Sequence, residues 1–103
     1  MTFTSYKELT FEREEPIDNL FPSGELRPYK ARKPVIFVSA RVHPGEVPGS
    51  HIMNGFLDFL APQNEYSELS LDHRASTLLN YFVIKIVPML NPDGVARGHY
   101  RFD

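Results

Sequence analysis

Two short apolar runs with two helical patterns between them predict an α/β fold for this sequence of 103 residues. The runs "PVIFVSA" (34–40) and "YFVIKIV" (81–87) are rich in β-branched residues, which is typical of strands buried on both faces of a sheet. Strands joined through helices form a crossover connection, which favours a parallel pair and a right-handed crossing. We therefore predict a partial mixed or parallel sheet built around a β-α-α-β crossover.

The segment between the two runs supplies both helices. In "VPGSHIMNGFLDFLA" (47–61) apolar residues recur at helical spacing, and Pro48 suits a first turn. "LDHRASTLLN" (71–80) is a second, shorter helical pattern. The apolar positions predicted on one side are Ile52, Met53, Phe56, Leu57 and Leu60 in the first helix, and Leu71, Ala75, Leu78 and Leu79 in the second. The second run ends at Pro88, and "NPDG" (91–94) has the composition of a tight turn.

The first 33 residues differ in character from the rest of the chain. They are polar and interrupted by proline and glycine, and they predict at most one short strand near residues 3–6. We therefore divide the chain into a connector or lead-in segment (1–33) and a region with regularly spaced strand and helix patterns (34–103). The basic run at 27–33 is expected to be a solvated loop, with attraction of an acidic tail as the alternative. Lys85 interrupts an apolar run and is expected to extend its ammonium group toward an edge or end of the sheet.

Composition excludes several classes of protein. The net charge of -2 and the pI of about 6.1 give no indication of nucleic-acid binding. The absence of cysteine excludes disulfides and thiolate metal sites, and it is compatible with a reducing compartment. No apolar run approaches the length of a membrane span, and the N-terminus lacks the apolar region of a signal peptide. We expect a soluble intracellular protein, with neither nucleic acid nor membrane as a partner.

The stretch "ARVHPGE" (40–46) carries the candidate chemistry. Ligands of open α/β sheets bind beyond the carboxyl ends of the strands, which is where His43 and Glu46 follow the first apolar run. The residue before a proline favours extended geometry, so His43 should continue the strand while Pro44-Gly45 turns Glu46 back toward it. An imidazole and a carboxylate that converge at a strand end have the composition of a zinc half-site. A catalytic zinc site adds a third protein ligand and an open position for water. The pair alone is equally compatible with a helix start that carries an exposed histidine.

Longer segments of the sequence favour the zinc site over an ordinary helix start. "FVSARVHPGEVPGSHIMNGFLDFL" (37–60) and "KIVPMLNPDGVARGHYR" (85–101) resemble the paired motif segments of the cytosolic carboxypeptidases, a branch of the zinc metallocarboxypeptidase family (peptidase M14). "LFPSGELRPYKARK" (20–33) is similar to the lead-in of the subgroup that trims glutamate from tubulin. The similar segments cover most of residues 14–103 in the family's order. The resemblance implies a fragment of the zinc carboxypeptidase fold.

The resemblance also implies roles for individual residues. His43 and Glu46 match the first two zinc ligands, and Arg101 matches the arginine that stabilises the oxyanion of the scissile carbonyl. A surface pairing of Arg101 with Asp103 or a glutamate is its structural alternative. Asn91 and Asp93 are expected only to shape their loop.

The remaining histidines are weaker candidates for a site. His51 is expected to be an ordinary helix residue, since its family counterparts are not ligands. His73 is expected to be solvated on the second helix. His99, two residues before Arg101, is a minor candidate for lining the cleft.

The implied function is that of a zinc metallocarboxypeptidase that acts on polypeptide C-terminal tails. The implied substrate is glutamylated tubulin, from which glutamate is released. The implied location is the cytosol, with the nucleus and microtubules as alternatives. In the family, the third zinc ligand, the Asn-Arg pair that grips the terminal carboxylate and the glutamate base all follow the "NPDG" segment. The chain thus resembles the N-terminal part of a catalytic domain, and alone it is expected to be inactive and prone to aggregation. The alternatives are a zinc-dependent amino-acid deacylase and a non-catalytic module that binds tubulin tails.

Overall fold

The computed structural model describes residues 1–61 and 73–101 of the chain. Its strands are β1 (Thr2–Phe3), β2 (Leu9–Arg13), β3 (Tyr29–Ala31), β4 (Val35–Ser39) and β5 (Val83–Val87), and its α-helices are α1 (Val47–Leu60), α2 (His73–Tyr81) and α3 (Pro92–Ala96). Strands β1, β5 and β4 form one sheet in that order, and β2 pairs with β3 in a separate ribbon. The predicted α/β class is confirmed.

The predicted crossover forms the centre of the fold. Strands β4 and β5 are parallel, with Val35 opposite Val83 and Ser39 opposite Val87, while β1 is antiparallel to β5. The sheet is therefore mixed, and the β-α-α-β order is as predicted. Beyond the strands the Leu90 amide donates to the Ala40 carbonyl at 2.9 Å. This contact brings the two loops that follow β4 and β5 together at the carboxyl edge of the sheet.

The core joins one face of β5 to the two long helices. Ile84 and Ile86 are alternate residues of β5 and are fully buried. They belong to one apolar cluster with Met53 and Leu60 of α1 and Leu79 of α2. Each such side chain contributes roughly 1.5–3 kcal/mol through burial, so this cluster holds the helices on the sheet.

Two of the positions predicted to face inward, Ile52 and Leu71, are not found in the core of the described structure. Ile52 was expected on the buried stripe of α1, but it is 75% exposed, so this prediction is wrong. Ile52 borders a cavity beside β4, where the described chain supplies no layer above it. Leu71, predicted to be inward-facing in the second helix, lies outside the described residues. The other predicted positions are buried or pack against the core, namely Met53, Phe56, Leu57, Leu60, Ala75, Leu78 and Leu79.

The N-terminal segment contains more structure than predicted. Instead of at most one strand, it holds β1, the β2–β3 ribbon and a 3₁₀ turn at Gly24–Leu26. The two-residue strand β1 extends the main sheet, and the Met1 ammonium group donates to the Ile86 carbonyl at 2.9 Å. Polar side chains, such as those of "TFER" (10–13), concealed these strands because a two-stranded ribbon needs no continuous apolar face.

Charged side chains attach this segment to the sheet. Lys85 forms an ion pair with Glu14, which also pairs with Arg27 at 2.6 Å. Lys85 therefore has a defined partner above the sheet, where the sequence predicts only an extension toward an edge or end. Lys30 pairs with Glu12 at 2.9 Å, and Lys33 donates to the Leu79 carbonyl at 2.9 Å, while partial burial lowers the pKa of Lys33. Much of the basic run at 27–33 is thus engaged within the chain.

None of the described helices combines the length and apolar character that a membrane span requires.

Candidate metal centre

The structure brings His43 and Glu46 together in the loop between β4 and α1. The Nδ1 atom of His43 and the Oε1 atom of Glu46 are 2.6 Å apart. An ionised carboxylate can only accept, so the imidazole donates in this contact. Glu46 is the residue before the first turn of α1, yet its side chain makes no capping bond to that helix. The carboxylate is therefore directed to the histidine rather than to the helix end, in agreement with the predicted convergence.

The side chain of Arg41 forms hydrogen bonds to this loop and to α1. Arg41 was not identified as a candidate residue from the sequence. Its guanidinium group donates to the Pro44 carbonyl from Nε at 3.0 Å and from Nη2 at 2.6 Å. Nη1 donates to the Ser50 hydroxyl in the first turns of α1 at 2.8 Å. Arg41 also has a φ of 60°, a left-handed conformation that is uncommon for a residue with a long side chain. An isolated arginine next to an apolar run gives no periodic pattern that would reveal such a role.

The segment after α3 also contacts this loop. The Gly45 amide donates to the Tyr100 carbonyl at 2.7 Å. A Cβ atom at position 45 would lie 2.4 Å from Cδ2 of the Tyr100 ring, so only glycine permits this approach. The contact fixes Pro44-Gly45 between the strand end and the chain that leads to Arg101.

The two motif segments also pack on each other directly. Gly94 is buried, and a Cβ atom there would lie 2.5 Å from Cγ of Pro44. The side-chain oxygen of Asn91 accepts from the Gly94 backbone amide at 3.0 Å. The backbone amide of Asn91 donates to the Arg41 carbonyl at 3.0 Å. "NPDG" therefore begins the short helix α3 with Asn91 as its cap, rather than forming an isolated tight turn. The expectation that Asn91 shapes the loop agrees with these contacts.

The other candidate residues lie at varying distances from this centre. Arg101 is exposed and directly follows Tyr100, so it is one residue away from the contact with the loop. His51 and His73 are exposed on α1 and at the start of α2, as expected for residues outside the site. His99 is also exposed, and its backbone amide donates to the Gly94 carbonyl at 3.0 Å.

A cavity of about 490 Å³ adjoins the pair between β4 and α1. Glu46 and Arg41 line its polar end, and Met53 and Phe56 line its apolar part. His43 does not line it, so the two candidate ligands meet at the margin of the cavity rather than both facing into it. The volume of this cavity is large enough to hold an amino-acid side chain.

The donor set fits a partial zinc site. Zinc takes imidazole nitrogen and carboxylate oxygen together with further ligands, and here one of each type meets at a single point. A metal binds an imidazole only through a ring nitrogen that carries no proton. Within residues 1–61 and 73–101, no group of three or more His, Asp or Glu side chains is arranged to hold a metal. The described chain therefore brings one imidazole and one carboxylate together, which is fewer groups than a complete zinc site uses.

Comparison with known proteins agrees with the geometry. The family described as zinc carboxypeptidase matches residues 8–102. The chain is 49% identical over its whole length to cytosolic carboxypeptidase-like protein 5 of Rattus norvegicus and covers 12% of that protein. It is 50% identical over its whole length to the Danio rerio protein of the same name, covering 11% of it. It is 48% identical over 71% of its length to cytosolic carboxypeptidase 6 of Caenorhabditis elegans, covering 14% of that relative. The predicted resemblance is confirmed, and the chain spans about an eighth of the first relative's length.

Proposed function

Because this chain belongs to the zinc carboxypeptidase family, we propose that it forms the part of a metallocarboxypeptidase that supplies two zinc ligands, His43 and Glu46. The observation that carries the proposal is the 2.6 Å approach of His43 Nδ1 to Glu46 Oε1 at the carboxyl edge of the sheet. Ligands of open α/β sheets bind at this edge. The mixed sheet and its crossover are consistent with a fragment of the zinc carboxypeptidase fold.

The chemistry of the proposed site is hydrolysis of the last peptide bond of a polypeptide. Zinc, when bound, supplies a Lewis acid that polarises the scissile carbonyl. Arg101 carries a permanent positive charge, and we assign it to stabilising the negative charge that develops on the carbonyl oxygen. The backbone bond between Gly45 and Tyr100 supports this role because it ties the neighbour of Arg101 to the loop of His43.

For the substrate, we propose C-terminal glutamate residues of protein tails, with glutamylated tubulin in the cytosol as the target. Support comes from the lead-in at 20–33, which is similar to that of tubulin-trimming enzymes, and from relatives that are named cytosolic carboxypeptidases. The internal pairing of Arg27, Lys30 and Lys33 argues against the basic run as the group that holds an acidic tail.

The direct test is a chimaera in which residues 1–103 replace the matched segment of the rat relative. Release of glutamate from peptides with C-terminal glutamate is followed by mass spectrometry, and bound zinc by elemental analysis. We expect zinc and activity in the chimaera, loss of both in His43→Ala, and a fall in kcat of about 100- to 1,000-fold in Arg101→Ala.

Matched histidine variants provide the control. His51→Ala changes a histidine of α1 outside the proposed site, so zinc and activity should remain. Equal zinc content in His43→Ala and His51→Ala would contradict the ligand assignment. A zinc-loaded chimaera that cleaves acyl-amino acids but not peptides would favour the deacylase. An inactive chimaera that still binds tubulin tail peptides would favour the binding module.

A further inference from the structure

The burial of Arg41 is unusual for a charged side chain. Among residues 1–61 and 73–101, it is the only charged side chain that is buried, with 9% of its surface exposed. No described carboxylate lies within ion-pair distance of it, and its guanidinium group donates to the neutral oxygens of Pro44 and Ser50. Burying a cation costs free energy, and hydrogen bonds to neutral acceptors offset only part of that cost.

The backbone of Arg41 is fixed independently of its side chain. Its carbonyl accepts from the Asn91 amide at 3.0 Å, and the preceding carbonyl, that of Ala40, accepts from the Leu90 amide at 2.9 Å. The left-handed φ of Arg41 then turns the chain out of the strand direction of β4. The residue thus anchors the start of the loop to the segment that follows β5.

The side chain of Arg41 anchors the middle of the same loop. Nε and Nη2 form a fork on the Pro44 carbonyl, and Pro44 lies between the two candidate ligands in the sequence. Nη1 reaches Ser50, four residues after Glu46. Three donors in a rigid plane therefore connect the loop to α1, which a lysine with a single flexible ammonium group cannot reproduce.

We propose that Arg41 is a positioning residue that holds the Pro44 carbonyl so that His43 and Glu46 converge as zinc ligands. The inference rests on the proposed zinc role of that pair. Arg41 donates to the loop backbone rather than to either ligand side chain, so it acts through the loop. Partners that orient metal ligands in this way commonly change metal affinity by 10- to 100-fold when they are removed.

The first test follows the ring signals of His43 by NMR in the metal-free 103-residue chain. Every variant carries Phe37→Lys to limit association through the exposed side of β4. Glu46→Gln provides the signals of a histidine without its carboxylate partner. We expect Arg41→Lys to move the His43 signals toward those of Glu46→Gln. Arg97→Lys, a matched change of an exposed arginine after α3, should leave them in place. Unchanged His43 signals in a folded Arg41→Lys chain would overturn the inference.

The second test measures zinc affinity of the chimaera by competition with a chelator, and it decides the matter if the Arg41→Lys chain does not fold. We expect affinity to fall 10- to 100-fold in Arg41→Lys and to stay within twofold in Arg97→Lys. A merely structural role would lower the melting temperature without lowering the affinity of the folded form, and that result would overturn the inference. Retention of zinc affinity in His43→Ala would instead overturn the zinc assignment on which it rests.

Discussion

Strands β4 and β5 have similar apolar sequences, "VIFVS" and "VIKIV", but very different surroundings. In β5, Val83, Ile84 and Ile86 are each at most 6% exposed. In β4, Val35 is 56% and Phe37 is 62% exposed. Strand β5 lies between two strands, whereas β4 is bonded on one side only among the described strands. Composition indicates that a segment can be a buried strand, but its neighbours determine whether it is one.

The two faces of the sheet are covered unequally as well. Ile84 and Ile86 face the helices, and the opposite face of β5 carries Lys85, which is held by Glu14 of the N-terminal segment. The register places Phe37 of β4 beside Lys85 on that second face. Coverage by the N-terminal segment thus reaches β5 but leaves Phe37 exposed, so the expectation of burial on both faces is correct for β5 and wrong for β4.

The largest expected effect of a substitution lies in the centre of β5. Ile86→Ala removes three buried carbons from the core cluster and should lower the free energy of unfolding by about 2–5 kcal/mol, which can abolish folding in a small domain. Chemical denaturation followed by circular dichroism measures the loss. Val35→Ala on the exposed side of β4 is the control, with an expected change within about 0.5 kcal/mol. Equal losses in the two variants would contradict the contrast between the strands.

A smaller effect is expected where the N-terminal segment meets β5. Glu14→Gln removes the charge that pairs with Lys85 and Arg27, whose side chains are largely shielded from water. Loss of such a charged partner should lower the free energy of unfolding by roughly 1–3 kcal/mol. Glu12→Gln breaks the exposed pair with Lys30 and should cost less than about 1 kcal/mol.

A double-mutant cycle separates the interaction with Lys85 from other consequences of Glu14→Gln. Lys85→Met retains the stem of the side chain and removes its charge. We expect a coupling energy of at least about 0.5 kcal/mol between the two changes. Purely additive losses would mean that the N-terminal segment covers β5 without being held there by this ion pair.

The sequence predicted local patterns better than contacts between distant segments. The crossover, α1 and the convergence of His43 with Glu46 follow from apolar spacing and from proline geometry, which act over a few residues. The contact of Tyr100 with Gly45 and the packing of Gly94 on Pro44 join positions about 50 residues apart. No local sequence propensity encodes such contacts. The roles of Arg41 and of the N-terminal strands were missed for the same reason, since both depend on partners elsewhere in the fold.

The smallest effect on stability, with the largest effect on association, is expected at the exposed side of β4. Phe37 is an apolar side chain on a strand whose second edge is unpaired in the described structure, and such edges recruit other chains. Phe37→Lys places a charge on this surface without removing a core contact. Because position 37 lies opposite Lys85, the added charge should lower the free energy of unfolding, by at most about 1 kcal/mol.

Size-exclusion chromatography with light scattering over a range of concentrations would measure the association. We expect the unsubstituted 103-residue chain to form oligomers or aggregates and Phe37→Lys to shift it toward monomer. Tyr6→Lys, which changes a 90% exposed aromatic residue outside any strand, is the matched control and should leave association unchanged. Because the two variants add the same charge, a shift confined to Phe37→Lys would identify the β4 surface rather than net charge as the cause. An unsubstituted chain that stays monomeric, with one sharp thermal transition, would show that β4 is stable as an exposed edge.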